Sequence, residues 1–331
     1  MSKNKFLYPM QKKKFKYNSQ NFPIPRLVQY TLFVILLLLN PSSNKYFPKS
    51  QAVIVNEPTP TITLPPPPPL PVNSTNVQAP LLTAESIVVK DIDSGMTLYA
   101  KNENKLLFPA STTKVMTALV ILDEYGLDDI VTVKTVINNG RRMNLVMGEK
   151  LTVEALLYGT LVHSANDAAY TLAENYPGGV DAFVMQMNNK AQSLGLNNTH
   201  FTNPVGFDDP SHYTSASDLT RLAVFALKNK IIDKIVSTKS ITVSDISYTY
   251  FHELQNVNQL LGKVAGIAGL KTGYTENAGE VLISKLKKND QTILIVVLKS
   301  ADRFAETVAL IDWVFNNFQW LPLSQITPSE L

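Results

Sequence analysis

Residues 107–119 read LFPASTTKVMTAL, with a proline and an alanine leading into Ser111 and a lysine three positions beyond it. Val115, Ala118, Leu119 and Leu122 recur at helical spacing, so the stretch from Ser111 to Tyr125 reads as a helix with one apolar face. If Ser111 opens that helix, Lys114 stands one turn on, on the same face, within reach of the hydroxyl. Burial against an apolar helix lowers a lysine pKa towards the neutral amine, and a neutral amine can accept a serine proton. The helix N-terminus also turns backbone N–H groups towards any oxyanion formed beside Ser111. Ser2–Lys5, Ser42–Lys45 and Ser284–Lys287 share the S-x-x-K spacing. The first two fall where nothing can bury an amine. Ser284 falls in an expected strand, where a residue three along points to the opposite face. Only Ser111 has the local structure that serine acyl transfer needs.

Moving outward, the chain from 153 to 176 and from 180 to 194 is helical in pattern, as is 216–227. Ser164-Ala165-Asn166 sits at the corner between two helical stretches. There a hydroxyl and an amide can face one cleft, although a plain helix cap would use the same residues. Lys271-Thr272-Gly273 follows a strand start at Gly269-Leu270. A strand at a cleft edge can pair with an extended peptide, and a glycine lets that peptide come close. Lys271 and Thr272 would add a positive charge and a hydroxyl suited to a carboxylate. An ordinary strand end with a solvated lysine is the competing reading.

The remaining pattern supplies the frame. Residues 86–91 and 96–100 around a turn at Asp93-Ser94-Gly95 read as a β-hairpin, and 281–285 and 292–298 read as strands. An amphipathic helix is expected over 301–318. Strands at both ends with helices between indicate an α+β domain whose first and last segments share one sheet.

The chain has 331 residues, 45% hydrophobic and 17% charged, enough for one large domain or two smaller ones. Its net charge of +3 is unevenly placed. Lys3, Lys5, Lys12, Lys13, Lys14, Lys16 and Arg26 precede the first apolar run with no acid among them, so the rest is slightly acidic and nucleic acid is not an expected partner. Cysteine is absent, which excludes disulfides, a thiol nucleophile and thiolate metal sites. His163, His200, His212 and His252 show no ligand spacing, so neither a metal nor another cofactor is expected.

Residues 27–39, LVQYTLFVILLLL, follow the basic segment as a signal h-region or an uncleaved anchor in the cytoplasmic membrane. Either places the bulk of the chain outside the cytoplasm. Residues 1–40 are thus a leader. Residues 41–80, with Pro58, Pro60, Pro65 to Pro69 and Pro71, form a spacer expected to join neither sheet nor helix. A domain is expected over 81–320, with a tail at 321–331.

S-x-x-K, S-x-N and K-T-G in this order are the set of the penicillin-recognising serine enzymes. With residues 151–168, 198–219 and 270–279, the chain closely resembles the D-alanyl-D-alanine carboxypeptidases of peptidase family S11, the low-molecular-mass penicillin-binding proteins. The resemblance covers about 84–318. It implies the DD-peptidase and β-lactamase type of α+β sandwich, with an antiparallel sheet flanked by helices, a helical subdomain and the active site between them. It implies that Ser111 attacks the penultimate D-alanine carbonyl of a peptidoglycan stem peptide with Lys114 as base. Backbone N–H groups of Ser111 and Tyr274 would form the oxyanion hole, and Ser164 would pass a proton to the leaving D-alanine. Asn166 would bind substrate amide, while Lys271, Thr272, Gly273 and Arg303 would serve the carboxylate end. β-Lactams would trap Ser111 as inhibitors. A D,D-endopeptidase would share these residues, and a non-catalytic wall-binding module would keep the fold. Glu280 departs from the family pattern, and an outward-facing side chain is expected there.

Overall fold

The computed structural model describes residues 66–326. In chain order these form β1 (Leu70–Asn73), β2 (Ser86–Asp91) and β3 (Thr97–Lys101), then a 3-10 turn at Ala110–Thr113 that runs into α1 (Lys114–Glu124). There follow β4 (Ile130–Thr132), β5 (Lys150–Thr152), α2 (Val153–Leu161), α3 (Asn166–Asn175), α4 (Gly179–Ser193), α5 (Ala216–Ala226) and α6 (Lys230–Val236). The chain closes with β6 (Ser240–Ser244), β7 (Phe251–Gln255), β8 (Ile267–Thr275), β9 (Gly279–Lys288), β10 (Gln291–Ser300), α7 (Arg303–Asn317) and β11 (Phe318–Leu321).

The main sheet is antiparallel with strand order β3-β2-β10-β9-β8. β2 pairs with β10 at Val89↔Ile295, so the strands that come first and last in the main sheet's chain order lie side by side, as the sequence pattern suggests. Alternation along β10 explains the two-sided core. Ile293, Ile295 and Val297 meet Leu310, Ile311 and Val314 of α7, while Leu294, Val296 and Leu298 belong to the core shared with the other helices. Both faces are covered, which is why the strand reads as an unbroken apolar run. Helix starts carry their own caps. Thr152 accepts from Ala155 N (3.2 Å), Ser215 from Asp218 N (3.1 Å) and Asp302 from Ala305 N (2.9 Å).

Two features bear on the site. The helical stretch over 153–176 is two helices, with Ser164 at the corner in the left-handed region (φ 59°). β8 lies at the edge of the sheet, so its outer side has no strand partner.

The proline-rich stretch corrects one expectation. Leu70–Asn73 does join a sheet, pairing antiparallel with β11 as a two-stranded ribbon. Ser74 N donates to Asn317 O at 2.9 Å, which fixes the phase of the ladder. Val72 then falls in a hydrogen-bonded pair and Pro71, opposite Trp320, in a non-bonded one, where its missing donor costs nothing. The short strands β4 to β7 and helix α6 carry too few residues for a periodic signal. The apolar run at 27–39 lies outside the described residues, and among the described residues no helix is long and apolar enough to cross a membrane.

Candidate active site

Ser111 stands in the 3-10 turn before α1, and Lys114 is the first residue of the helix proper. Lys114 is wholly buried, yet its Nζ has three polar neighbours: Ser111 Oγ at 2.9 Å, Asn166 Oδ1 at 2.7 Å and Val205 O at 2.7 Å. A neutral amine has two hydrogens and one lone pair. The two carbonyl oxygens can only accept, so they take the hydrogens and leave the lone pair for the serine hydroxyl. Burial pushes the Lys114 pKa from the ordinary lysine value down to about 7, and the nearby Asp167 carboxylate opposes that fall.

The second pair comes from distant parts of the chain. Lys271 on β8 reaches Ser164 at the α2–α3 corner, with Nζ donating to Oγ at 2.7 Å and to Thr272 O at 2.9 Å. Both side chains are buried, so Lys271 is not the solvated lysine of an ordinary strand end. Desolvation holds its pKa well below the usual value, and the cations Lys114, Arg303 and Arg141 add to the effect.

Ser111, Ser164, Asn166, Thr272, Gly273, Tyr274 and Arg303 line one cavity of about 360 Å³. Asn166 spends one Nδ2 hydrogen on Asn139 O (2.9 Å), which leaves the other for a ligand. Gly273 suits a close approach. A Cβ there would lie 3.0 Å from Ala110 Cβ and 3.1 Å from Ser111 N, so β8 or the turn at Ser111 would have to give by a few tenths of an ångström. Tyr274 is mostly exposed at the mouth. A larger groove of about 550 Å³ beside Lys90, Glu103 and Arg221 shares no lining residue with this cavity.

Arg303 opens α7 and donates from a guanidinium nitrogen to Gly273 O at 2.6 Å. Glu280 corrects another expectation. Its carboxylate turns to Arg303 rather than outward, accepting from Arg303 N at 2.9 Å with Nε 4.0 Å away. Nε is buried without a hydrogen-bond partner, so the guanidinium keeps a donor to spare.

Sequence reasoning missed the second layer. Buried Asp167 accepts from Met143 N (3.0 Å) and Leu145 N (3.1 Å), fixing the 134–149 loop against α3. Its signal was its place directly after Asn166. His212 contacts Thr113 Oγ1 through Nε2 (2.9 Å) and accepts from Thr202 N (3.0 Å), and burial lowers its pKa to about 4. Neutral His212 thus joins the start of α1 to the loop carrying Val205. Among the described residues, no cluster of three His, Asp or Glu side chains could hold a metal ion.

The Peptidase_S11 profile, D-alanyl-D-alanine carboxypeptidase, matches residues 73–302. The chain belongs to this family. The D-alanyl-D-alanine carboxypeptidase DacF of Bacillus subtilis is 35% identical over 250 residues, 72% of this chain and 64% of that protein. The D-alanyl-D-alanine endopeptidase of Pseudomonas aeruginosa is 33% identical over 241 residues, covering 70% and 77%. The crystal structure of the Streptomyces K15 DD-transpeptidase superposes with a TM-score of 0.69 at 32% identity, over 72% of this chain and 100% of that one. The shared S11 fold is thus shown over the domain, while the match spans less than two thirds of the length of the Bacillus relative.

Proposed function

We propose that the chain is a serine D,D-carboxypeptidase that removes the terminal D-alanine from peptidoglycan stem peptides. The observation that carries this reading is the buried Lys114 amine, 2.9 Å from Ser111 Oγ with its two other neighbours both acceptors. Lys114 takes the Ser111 proton as Oγ attacks the penultimate D-alanine carbonyl carbon. The charge on the carbonyl oxygen develops beside the backbone N–H groups of Ser111 and Tyr274. As the C–N bond breaks, Ser164 gives a proton to the departing D-alanine nitrogen, and the proton that Lys114 took from Ser111 returns to Ser164 by way of Lys271, so both lysines end as they began. Asn166 holds the amide on the acyl side, and Thr272 and Arg303 hold the terminal carboxylate against the open edge of β8. Water then hydrolyses the Ser111 ester and restores the serine. A β-lactam presents a strained amide beside a carboxylate and would acylate Ser111 by the same first step.

Such a substrate lies outside the cytoplasm, which fits residues 1–40 acting as a signal or a membrane anchor. A second reading, cleavage of cross-links between stems, is favoured by the endopeptidase among the relatives. Incubating the full chain with Nα-acetyl-Lys-D-Ala-D-Ala and with cross-linked muropeptide dimers separates the readings. Release of free D-alanine is expected. Cleavage of dimers alone would replace the first reading by the second, and no turnover together with no penicillin labelling would overturn both.

A further inference from the structure

Arg141 lines the same cavity as Ser111 but has no part in the chemistry set out above. Its backbone is pinned: Arg141 O accepts from Asn166 N at 2.7 Å, and Asn166 Nδ2 donates to Asn139 O two residues earlier. Between them, Gly140 lies so close to Asn166 that a Cβ there would sit 2.4 Å from Nδ2. The arginine is therefore presented from a fixed point beside Asn166, on a cavity also lined by Arg303 and by Thr272, Gly273 and Tyr274 of β8. Its side chain is exposed and, among the described residues, makes no hydrogen bond or ion pair.

The acids around the cleft are committed elsewhere. Asp167 accepts from Met143 N and Leu145 N, Glu280 serves Arg303, and Asp208 accepts from Thr275 Oγ1 (2.7 Å) and Asn277 Nδ2 (3.0 Å). Two arginines thus line the cavity, Arg303 bound to Gly273 O and paired with Glu280, and Arg141 with no partner among the described residues. A peptide with only a terminal carboxylate would use the first and leave the second idle.

We infer that Arg141 is a specificity residue that binds a second carboxylate, carried by the substrate residue on the acyl side of the scissile bond. This rests on the D,D-peptidase reading, which places the terminal carboxylate at Arg303 and the acyl side along Asn166. A guanidinium suits the task because its planar fork matches a carboxylate with two parallel hydrogen bonds. The preferred stem is then one whose third residue ends in a free carboxylate rather than in an amine or an amide.

The test uses two Nα-acetyl-X-D-Ala-D-Ala peptides with the full chain. In one, X is 2-aminopimelic acid with a free side-chain carboxylate, and in the other that end is the matching carboxamide. The wild type should release D-alanine from both, with kcat/KM about tenfold or more in favour of the carboxylate. The preference should shrink as salt is raised. Arg141→Ala should bring the ratio towards one, and Arg141→Lys should restore part of it. Equal wild-type rates, or an Arg141→Ala loss equal for both peptides, would overturn the inference while leaving the peptidase reading intact. No release from either peptide would overturn both.

Discussion

The cleft holds two serine–lysine pairs that look alike and are built differently. Ser111 and Lys114 lie three residues apart on one helical turn, so local geometry alone brings them together. Ser164 and Lys271 are 107 residues apart and meet only because the α2–α3 corner is brought up to the edge strand β8. Their surroundings differ as well. Burial lowers both lysines, but Lys114 has the Asp167 carboxylate beside it, whereas Lys271 faces Lys114, Arg303 and Arg141. On the proposed mechanism the local pair is the base near neutral pH, and the long-range pair is a proton path whose lysine regains its charge when a carboxylate enters a cleft rich in cations. One pair needs a helix; the other needs the whole fold.

The largest effect should come from breaking the local pair. Lys114→Ala should slow acylation by a fluorescent penicillin by about 10²–10⁴-fold with the circular dichroism spectrum retained. Lys271→Ala should affect D-alanine release more than its effect on folding would explain. Equal acylation rates for Lys114→Ala and the wild type would remove Lys114 as the base.

The next effect is on pH dependence. The ammonium form has no lone pair, so acylation should rise with pH through about 7, where Lys114 loses its proton. Because Asp167 supports the charged form, Asp167→Asn should move that midpoint to lower pH. A stopped-flow profile of acylation from pH 5 to 9 reads both.

This contrast also explains what was legible in the chain. S-x-x-K could be read from residues 107–119 because a helix turns spacing into contact. The sheet was legible for a different reason, since the short apolar, β-branched runs at 281–285 and 292–298 mark strands covered on both faces. The Ser164–Lys271 contact carries no spacing signal and became readable only through the ordered set of three motifs. His212 and Val205 O were invisible because their roles depend on where loops cross, and Asp167 was marked only by its place directly after Asn166. The ribbon of β1 and β11 was hidden by a rule about proline that ignores which side of a strand the missing donor faces.

A smaller effect should sharpen the carboxylate side. Glu280→Gln removes the charge that Arg303 N and Nε face, so Arg303 should hold its pose less firmly. KM for a peptide ending in D-Ala-D-Ala should change by less than about tenfold, with kcat little altered. A large fall in kcat would show that Glu280 touches the chemistry.

The smallest effect on activity lies in an anchor of the long-range half. His252 contacts Glu149 Oε1 through Nε2 (2.7 Å) and Met143 O through Nδ1 (2.8 Å). Both partners are acceptors, so the ring is held as the imidazolium, and the Glu149 carboxylate raises its pKa. A raised folded-state pKa adds stability that is full below the unfolded value and lost as pH rises through the folded one. Glu149→Gln should therefore lower stability by about 2 kcal/mol at pH 6 and flatten that pH dependence in urea unfolding. An unchanged slope would show that the pair does not anchor the loop.

The proposed mechanism makes Ser111 the nucleophile, and the most direct measurement is the site of the covalent adduct. The full chain is treated with benzylpenicillin, digested with trypsin and mapped by mass spectrometry. The adduct should sit on residues 106–114, LLFPASTTK, at Ser111, and disappear in Ser111→Ala. An adduct on Ser164 or on any other peptide, or none on the folded protein, would contradict it.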